Sequence, residues 1–258
     1  MNVLEVKNLT KQFGGLTATN DITMTVEKNS ITAVIGPNGA GKTTFFNMIT
    51  AVYKPTSGDI LLNGHSLVGL KPHEVSKFGI TRTFQNIRLF NEQTVIDNVL
   101  IGMHQHLKAH WVGTLLRLPS IRLEEEKAKV QAYKILKYVG LEDYVNENAG
   151  NLAYGAQRRL EIARAIAARP KVLLLDEPAA GMNPKETKKL TDLIHDMRTR
   201  LDVTIVLIEH DMKLVMEISD YIYVLDHGEL IAQGKPDEIR NNQRVIEAYL
   251  GKVAAEND

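Results

Sequence analysis

Gly36-Pro37-Asn38-Gly39-Ala40-Gly41-Lys42-Thr43-Thr44 is a complete phosphate-binding loop, and its flanks give it the context such a loop requires. The apolar run Ile31–Ile35 before it reads as a buried strand. Phe45, Phe46, Met48 and Ile49 after it read as a helix. Gly36, Gly39 and Gly41 admit backbone conformations and close approach that side chains would block. The loop amides then converge on phosphate oxygens at a helix N-terminus, where the dipole already favours negative charge. Lys42 is placed to reach the outer phosphates, and the Thr43 hydroxyl to ligate Mg²⁺. The competing reading is a glycine-rich turn that ends in Lys-Thr by accident, and strand and helix on either side weigh against it. The expected ligand is a nucleoside triphosphate.

The 258 residues fill one large domain or two small ones, and 44% hydrophobic content supplies a sizeable core. Lys plus Arg equals Asp plus Glu at 31 each, so the net charge is zero and the basic footprint of a nucleic-acid binder is missing. The absence of Cys excludes disulfides, Cys-ligated zinc, iron–sulfur clusters and a thiol nucleophile, and it suits a reducing cytosol. The longest apolar runs, Val172–Leu175 and Val203–Ile208, are far too short to cross a bilayer and read as buried strands. The N-terminus lacks the basic-then-apolar pattern of a signal peptide, so any membrane role is expected to come through a partner chain. No internal repeat or low-complexity segment stands out.

Along the chain, Val3–Leu9 and Ile22–Val26 read as paired strands joined by the turn Phe13-Gly14-Gly15. They suggest a small antiparallel sheet beside the main core. Pro55–Gly58 is a turn, and Ile60–Leu62 is a strand entering a tight turn at Asn63-Gly64. From about residue 86 to residue 168 the character turns helical. Helices are expected over Val95–Met103, over Leu123–Val139 up to Gly140, and over Ala156–Ala168 up to Arg169-Pro170. His104–Ser120, with Gly113 and Pro119, reads as an insertion loop between the first two. Strands return at Val172–Leu175, Val203–Ile208 and Tyr221–Leu225, alternating with helices over Pro184–Thr199 and Met212–Ile218. Asn183, Pro184 and Glu186 are the N-cap, first residue and capping-box partner of the former. Such alternation predicts a mostly parallel sheet covered on both faces.

Asp176 and Glu177 emerge from the C-terminal end of the strand Val172–Leu175, where open α/β sheets bind ligands. Asp176 is placed to hold Mg²⁺, and Glu177 to polarise a water for attack on the γ-phosphate. An acidic pair after a strand is by itself an ordinary solvated turn; beside a phosphate loop it is a catalytic candidate. Leu152-Ala153-Tyr154-Gly155-Ala156 opens a helix, and a glycine at a helix start is a second candidate anion site, weak when taken alone.

The order of these features resembles the ABC-transporter ATPases across nearly the whole chain. The family pattern has a phosphate loop, a glutamine after a strand, a signature beginning Leu-Ser-Gly-Gly-Gln, an Asp-Glu pair and a late histidine. Here these fall at Gly36–Thr44, Gln85, Leu152–Ala156, Asp176-Glu177 and His210. The match is closer to the LivG-type branch, which serves branched-chain amino-acid importers. It is carried by Leu152–Gly155 with Arg158–Arg164, by Glu177–Thr187 and by Glu209–Met216. Two departures stand out. The wider family's signature serine is Ala153 here, as it is in the branch, so a phosphate contact there must use backbone amides. Where the branch has glutamine, this chain has Ala156, which removes a polar contact near the facing ribose.

The resemblance implies a P-loop α/β core with an antiparallel flank and an inserted helical subdomain. Residues 1–85 and 169–258 would form the nucleotide-binding core, and residues 86–168 the helical part with the signature. It implies ATP and Mg²⁺ as ligands, with Lys42, Glu177 and His210 catalytic and Thr43, Gln85 and Asp176 at the metal. Phe13, stacking on adenine, would join the loop in binding nucleotide, and Leu152, Ala153, Tyr154, Gly155 and Ala156 would close a facing chain's site. It also implies a sister ATPase or a second copy as dimer partner, two membrane permeases, an indirectly engaged substrate-binding protein, and a place at the cytoplasmic face of the inner membrane. Related ATPases for urea or amide import or for lipid export are the alternatives within transport. A non-transport ABC ATPase of DNA repair or translation is the alternative outside it, disfavoured by the neutral charge and the single ATPase unit. His104, His106 and His110 lack a carboxylate cluster or Cys to complete a metal site and read as an exposed loop. Trp111 and Leu115–Leu118 are expected to pack that insertion or meet a partner.

Overall fold

The computed structural model describes residues 1–104 and 119–255. The expectations for His106, His110, Gly113, Trp111 and Leu115–Leu118 lie outside those residues.

β1 (Asn2–Phe13) and β2 (Leu16–Glu27) form an antiparallel hairpin, with Leu4 opposite Val26 and Phe13 opposite Leu16 at the tip. Both strands run further than their apolar alternation suggests, because backbone pairing continues into the polar half of the hairpin. β3 (Ile31–Ile35) leaves for a second sheet and delivers the glycine loop to α1 (Lys42–Ile49). β4 (Ser57–Leu62) returns to pair with β1, and β5 (His65–Ser66) completes the order β2-β1-β4-β5. α2 (Pro72–Phe78) and β6 (Ile80–Arg82) follow. Among the described residues, the helices α3 (Val95–Met103), α4 (Pro119–Tyr138) and α5 (Tyr154–Ala167) come next. The last two residues of the expected insertion loop are therefore already helical. β7 (Val172–Asp176), α6 (Pro184–Leu201), β8 (Thr204–Ile208), α7 (Met212–Ile218) and β9 (Tyr221–Asp226) then alternate. β10 (Glu229–Gly234), α8 (Pro236–Arg240) and α9 (Gln243–Ala255) end the described chain.

The second sheet has the order β10-β9-β3-β8-β7-β6, parallel except for the edge strand β10. Its central strands are buried on both faces, and alternate residues feed two different cores. Ile31, Ala33, Leu173, Leu175, Ile205 and Leu207 pack with Val99, Leu136, Leu160 and Ile194 from the helices. Val34, Val172, Leu174, Val206 and Ile208 pack on the other face with Phe45, Phe46 and the hairpin residues Leu4 and Val26. Phe45 and Phe46 are fully buried, worth about 1.5–3 kcal/mol each, which seats the start of α1 firmly beneath the loop. The Asn183–Glu186 capping box is formed, and Gly140, with φ +68°, ends α4. No described helix is long and apolar enough to cross a membrane.

Candidate functional site

β3, β8 and β7 are neighbours, so the segments leaving their C-terminal ends meet. The glycine loop leaves β3, His210 stands just beyond β8, and Asp176 ends β7 with Glu177 following. They enclose a cleft of about 430 Å³ lined by Asn38 to Thr44, Gln85, Glu177 and His210. Leu16, Thr17, Ala18 and His227 also line it; sequence reading did not single out these four. The turn Asp226-His227-Gly228 after an apolar strand was the available signal for His227.

Close backbone packing shapes the loop. Gly36 has φ +151°, and a Cβ there would run into the carbonyl oxygen of Leu225. Gly41 has φ +94°, and its Cβ would stand 2.5 Å from the carbonyl oxygen of Ala18. Only glycine lets the loop nest between β9 and the hairpin. Lys42 is buried, and its ammonium donates back to the carbonyls of Gly36 (2.7 Å) and Pro37 (2.9 Å), spanning the loop. Thr43 is exposed at the start of α1.

Glu177 is held from two sides. Gln85 Nε2 donates to Oε2 at 2.8 Å, and His210 Nε2 lies 2.6 Å from Oε1. Its backbone has φ +46°, an uncommon conformation for a side chain of this size, and its N–H donates to Ile208 O at 2.9 Å. Behind it, the buried Glu209 carboxylate accepts from the Ala179 N–H at 2.8 Å and the His210 N–H at 3.1 Å. Burial pushes the Glu209 carboxyl above its ordinary range, with the amide bonds opposing the shift. Asp176 is buried, and one of its oxygens takes a 2.6 Å ion pair from Arg82, which also donates to Asn47 Oδ1 at 2.7 Å.

Thr43, Gln85 and Asp176 offer only oxygen donors on the metal side, since Gln85 uses its nitrogen on Glu177. Hard oxygen ligands in small number, with the rest supplied by phosphate and water, suit Mg²⁺. The residues present therefore fit the ion, with the Asp176 charge shared with Arg82.

Among the expected residues, Gly36, Pro37 and Asp176 do not line the cleft, and two further groups also lie outside it. Phe13 is 42% exposed at the hairpin tip, edge-on to Tyr53 with centroids 5.3 Å apart, and the Lys11 ammonium lies 4.8 Å from its centroid. It does not line the cleft. Leu152–Ala156 also stands apart from the cleft. Tyr154 packs against Gly181 and Gly155 against the Glu186 carboxylate, so the start of α5 abuts the segment that follows Glu177. Ala153 is the N-cap of α5 and makes no side-chain cap bond.

The ABC transporter family model matches residues 19–180, and the model of the branched-chain amino acid ATP-binding cassette transporter C-terminus matches residues 229–255. The high-affinity branched-chain amino acid transport ATP-binding protein BraF of Pseudomonas aeruginosa is 50% identical, covering 97% of this chain and 98% of its own. The corresponding protein LivG of Escherichia coli is 51% identical over the same shares. A crystal structure of a nucleotide-free ATP-binding cassette from an ABC transporter superposes with a TM-score of 0.84 at 32% identity, covering 96% of this chain and 99% of that one. A cassette in its ADP conformation gives 0.84 at 31% identity, covering 97% and 99%. With both halves of the cleft, the sheet order and the sequence in agreement, the chain belongs to the ABC transporter ATP-binding family, in its LivG-type branch.

Proposed function

We propose that this chain hydrolyses ATP to energise the uptake of branched-chain amino acids through separate permease subunits. The observation that carries the reading is Glu177, whose two oxygens are held by Gln85 and His210 in the cleft that the phosphate loop lines. A carboxylate so fixed accepts a proton from an attacking water while His210 and Gln85 keep it aimed. Lys42 and the loop amides oppose the charge of the outer phosphates, and Thr43, Gln85 and Asp176 would hold Mg²⁺, which supplies further neutralisation of phosphate charge. Catalysis is then mostly positioning.

Within one chain Leu152–Ala156 lies outside the cleft, so closing the site with that segment needs a facing chain. This supports a working unit of two ATPase chains, with a sister subunit or a second copy as the partner. A separate cleft of about 580 Å³, lined by Val52, Phe84, Arg88, Phe90, Ile101 and Arg164, would take a permease segment, which supports a place at the cytoplasmic face of the inner membrane. BraF and LivG are named for branched-chain amino acid transport, which supports the choice of substrate.

The experiment is co-purification from native membranes, identification of the bound permeases, and uptake of radiolabelled leucine by reconstituted vesicles loaded with ATP. ATP-dependent leucine uptake is the expected result. Uptake of urea or an amide instead of leucine overturns the substrate, and recovery without any permease overturns the transport role.

A further inference from the structure

Two charges stand in the apolar stripe of α5. Arg158 and Glu161 have side chains 0% and 1% exposed and pair at 2.8 Å. Burying an ion pair costs desolvation that mutual attraction barely returns, so stability alone is a poor reason to keep one. Arg158 Nε also finds no hydrogen-bond partner among the described residues, an added cost.

What the pair holds is the backbone around Gln85. Arg158 Nη1 donates to Phe84 O at 2.6 Å and Nη2 to Gln85 O at 2.8 Å. Glu161 Oε1 accepts from the Phe84 N–H at 3.2 Å and the Arg88 N–H at 3.4 Å. A planar guanidinium fork reaching two successive carbonyls fixes the peptide orientation as a single bond could not. From that fixed peptide the Gln85 side chain reaches Glu177. Arg158 Nη2 also touches Tyr154 Oη at 3.4 Å, and Tyr154 packs on Gly181 beyond Glu177.

We propose that Arg158 and Glu161 are positioning residues that hold Gln85 on Glu177, so that the start of α5 and the Gln85–Glu177 bond move as one body. This rests on the reading of Glu177 as the group that directs water. Neither residue lines the nucleotide cleft, so their effect passes through the loop at residues 84–88.

The test is a double-mutant cycle in the full chain, pairing Gln85→Ala with Glu161→Gln and, separately, with Arg158→Lys. Gln keeps the shape and one acceptor without the charge; Lys keeps the charge without the fork. Each single variant should lower kcat roughly 10-fold with KM for ATP within about twofold, because the phosphate loop is untouched. In the Gln85→Ala background the same substitution should cost less than about twofold, since the contact it serves is gone. An equal loss in both backgrounds identifies a general structural fault and overturns the proposal. So does an unchanged kcat in a folded single variant. Thermal midpoint and ATP binding report folding; if Arg158→Lys fails to fold, Glu161→Gln carries the cycle, and if both fail the pair is a stability element and the proposal falls. A parent chain without any ATPase would instead remove the role of Glu177.

Discussion

Glu177→Gln separates geometry from chemistry at the centre of the cleft. The carboxylate accepts from Gln85 at Oε2 and meets His210 at Oε1. An amide has one acceptor and one donor. It keeps the Gln85 contact through its oxygen, and it keeps His210 by donating its NH₂ to Nε2 in the tautomer protonated on Nδ1, so Gln85 still turns its own oxygen to the metal side. The fold and the loop are then undisturbed, and ATP affinity should stay within about threefold of the parent. What disappears is the proton acceptor, whose contribution is about 10²–10⁴ in rate, or about 3–5 kcal/mol of barrier. Single-turnover hydrolysis with excess protein reads the chemical step directly, and equilibrium ATP binding reads the rest. Hydrolysis within about threefold of the parent at matched affinity would refute the role of Glu177. A rate loss accompanied by an equal loss of ATP affinity would refute the claim that geometry survives.

Further outcomes follow from local geometry. Ala153→Ser supplies the missing cap to α5 and should stabilise by about 1 kcal/mol, raising the calorimetric midpoint by roughly 2–4 °C; an unchanged midpoint means the hydroxyl does not cap. Gly41→Ala strains a residue at φ +94° and drives a methyl against Ala18 O, for a cost of about 2–6 kcal/mol and loss of ATP binding. Gly15→Ala, with nothing within 4 Å, should be near neutral when both variants are unfolded in urea, and similar costs for the two would discredit the contact argument. Glu209 is raised in the folded state, so its contribution is fully present below its unfolded pKa and is lost as pH rises through the folded one. The stability of the parent relative to Glu209→Gln should therefore increase on acidification from about pH 7 to about pH 4, and a decrease would contradict the assigned burial effect.

Much of this was legible in the sequence because the signals are local. The glycine loop, the aliphatic strands and the Asn183 capping box each depend on a few adjacent residues, and α3 and α7 fall on the expected boundaries. Short or half-exposed elements left no such mark. β6 spans only Ile80–Arg82 and exists because β7 offers it an edge, while β10 has no strict alternation because it lies at the rim. The partners of the site residues were hidden for a different reason. Arg82 reaches Asp176 across 94 positions, and Gln85 reaches Glu177 across 92, distances that no local pattern encodes. Arg158 and Glu161 did leave a trace, as charges in the apolar stripe with Ile162 and Ala165, readable once a loop backbone is there for them to hold.

The adjacency of β3, β8 and β7 also makes the sheet a ruler. Neighbouring strands lie about 4.8 Å apart, so from the strand that ends in the glycine loop to the one that ends in Asp176 is roughly 10 Å, with the strand before His210 at the midpoint. The spacing of the glycine loop, His210 and Asp176 along the sheet is therefore set in strand widths by backbone hydrogen bonding, which side-chain substitution leaves unchanged.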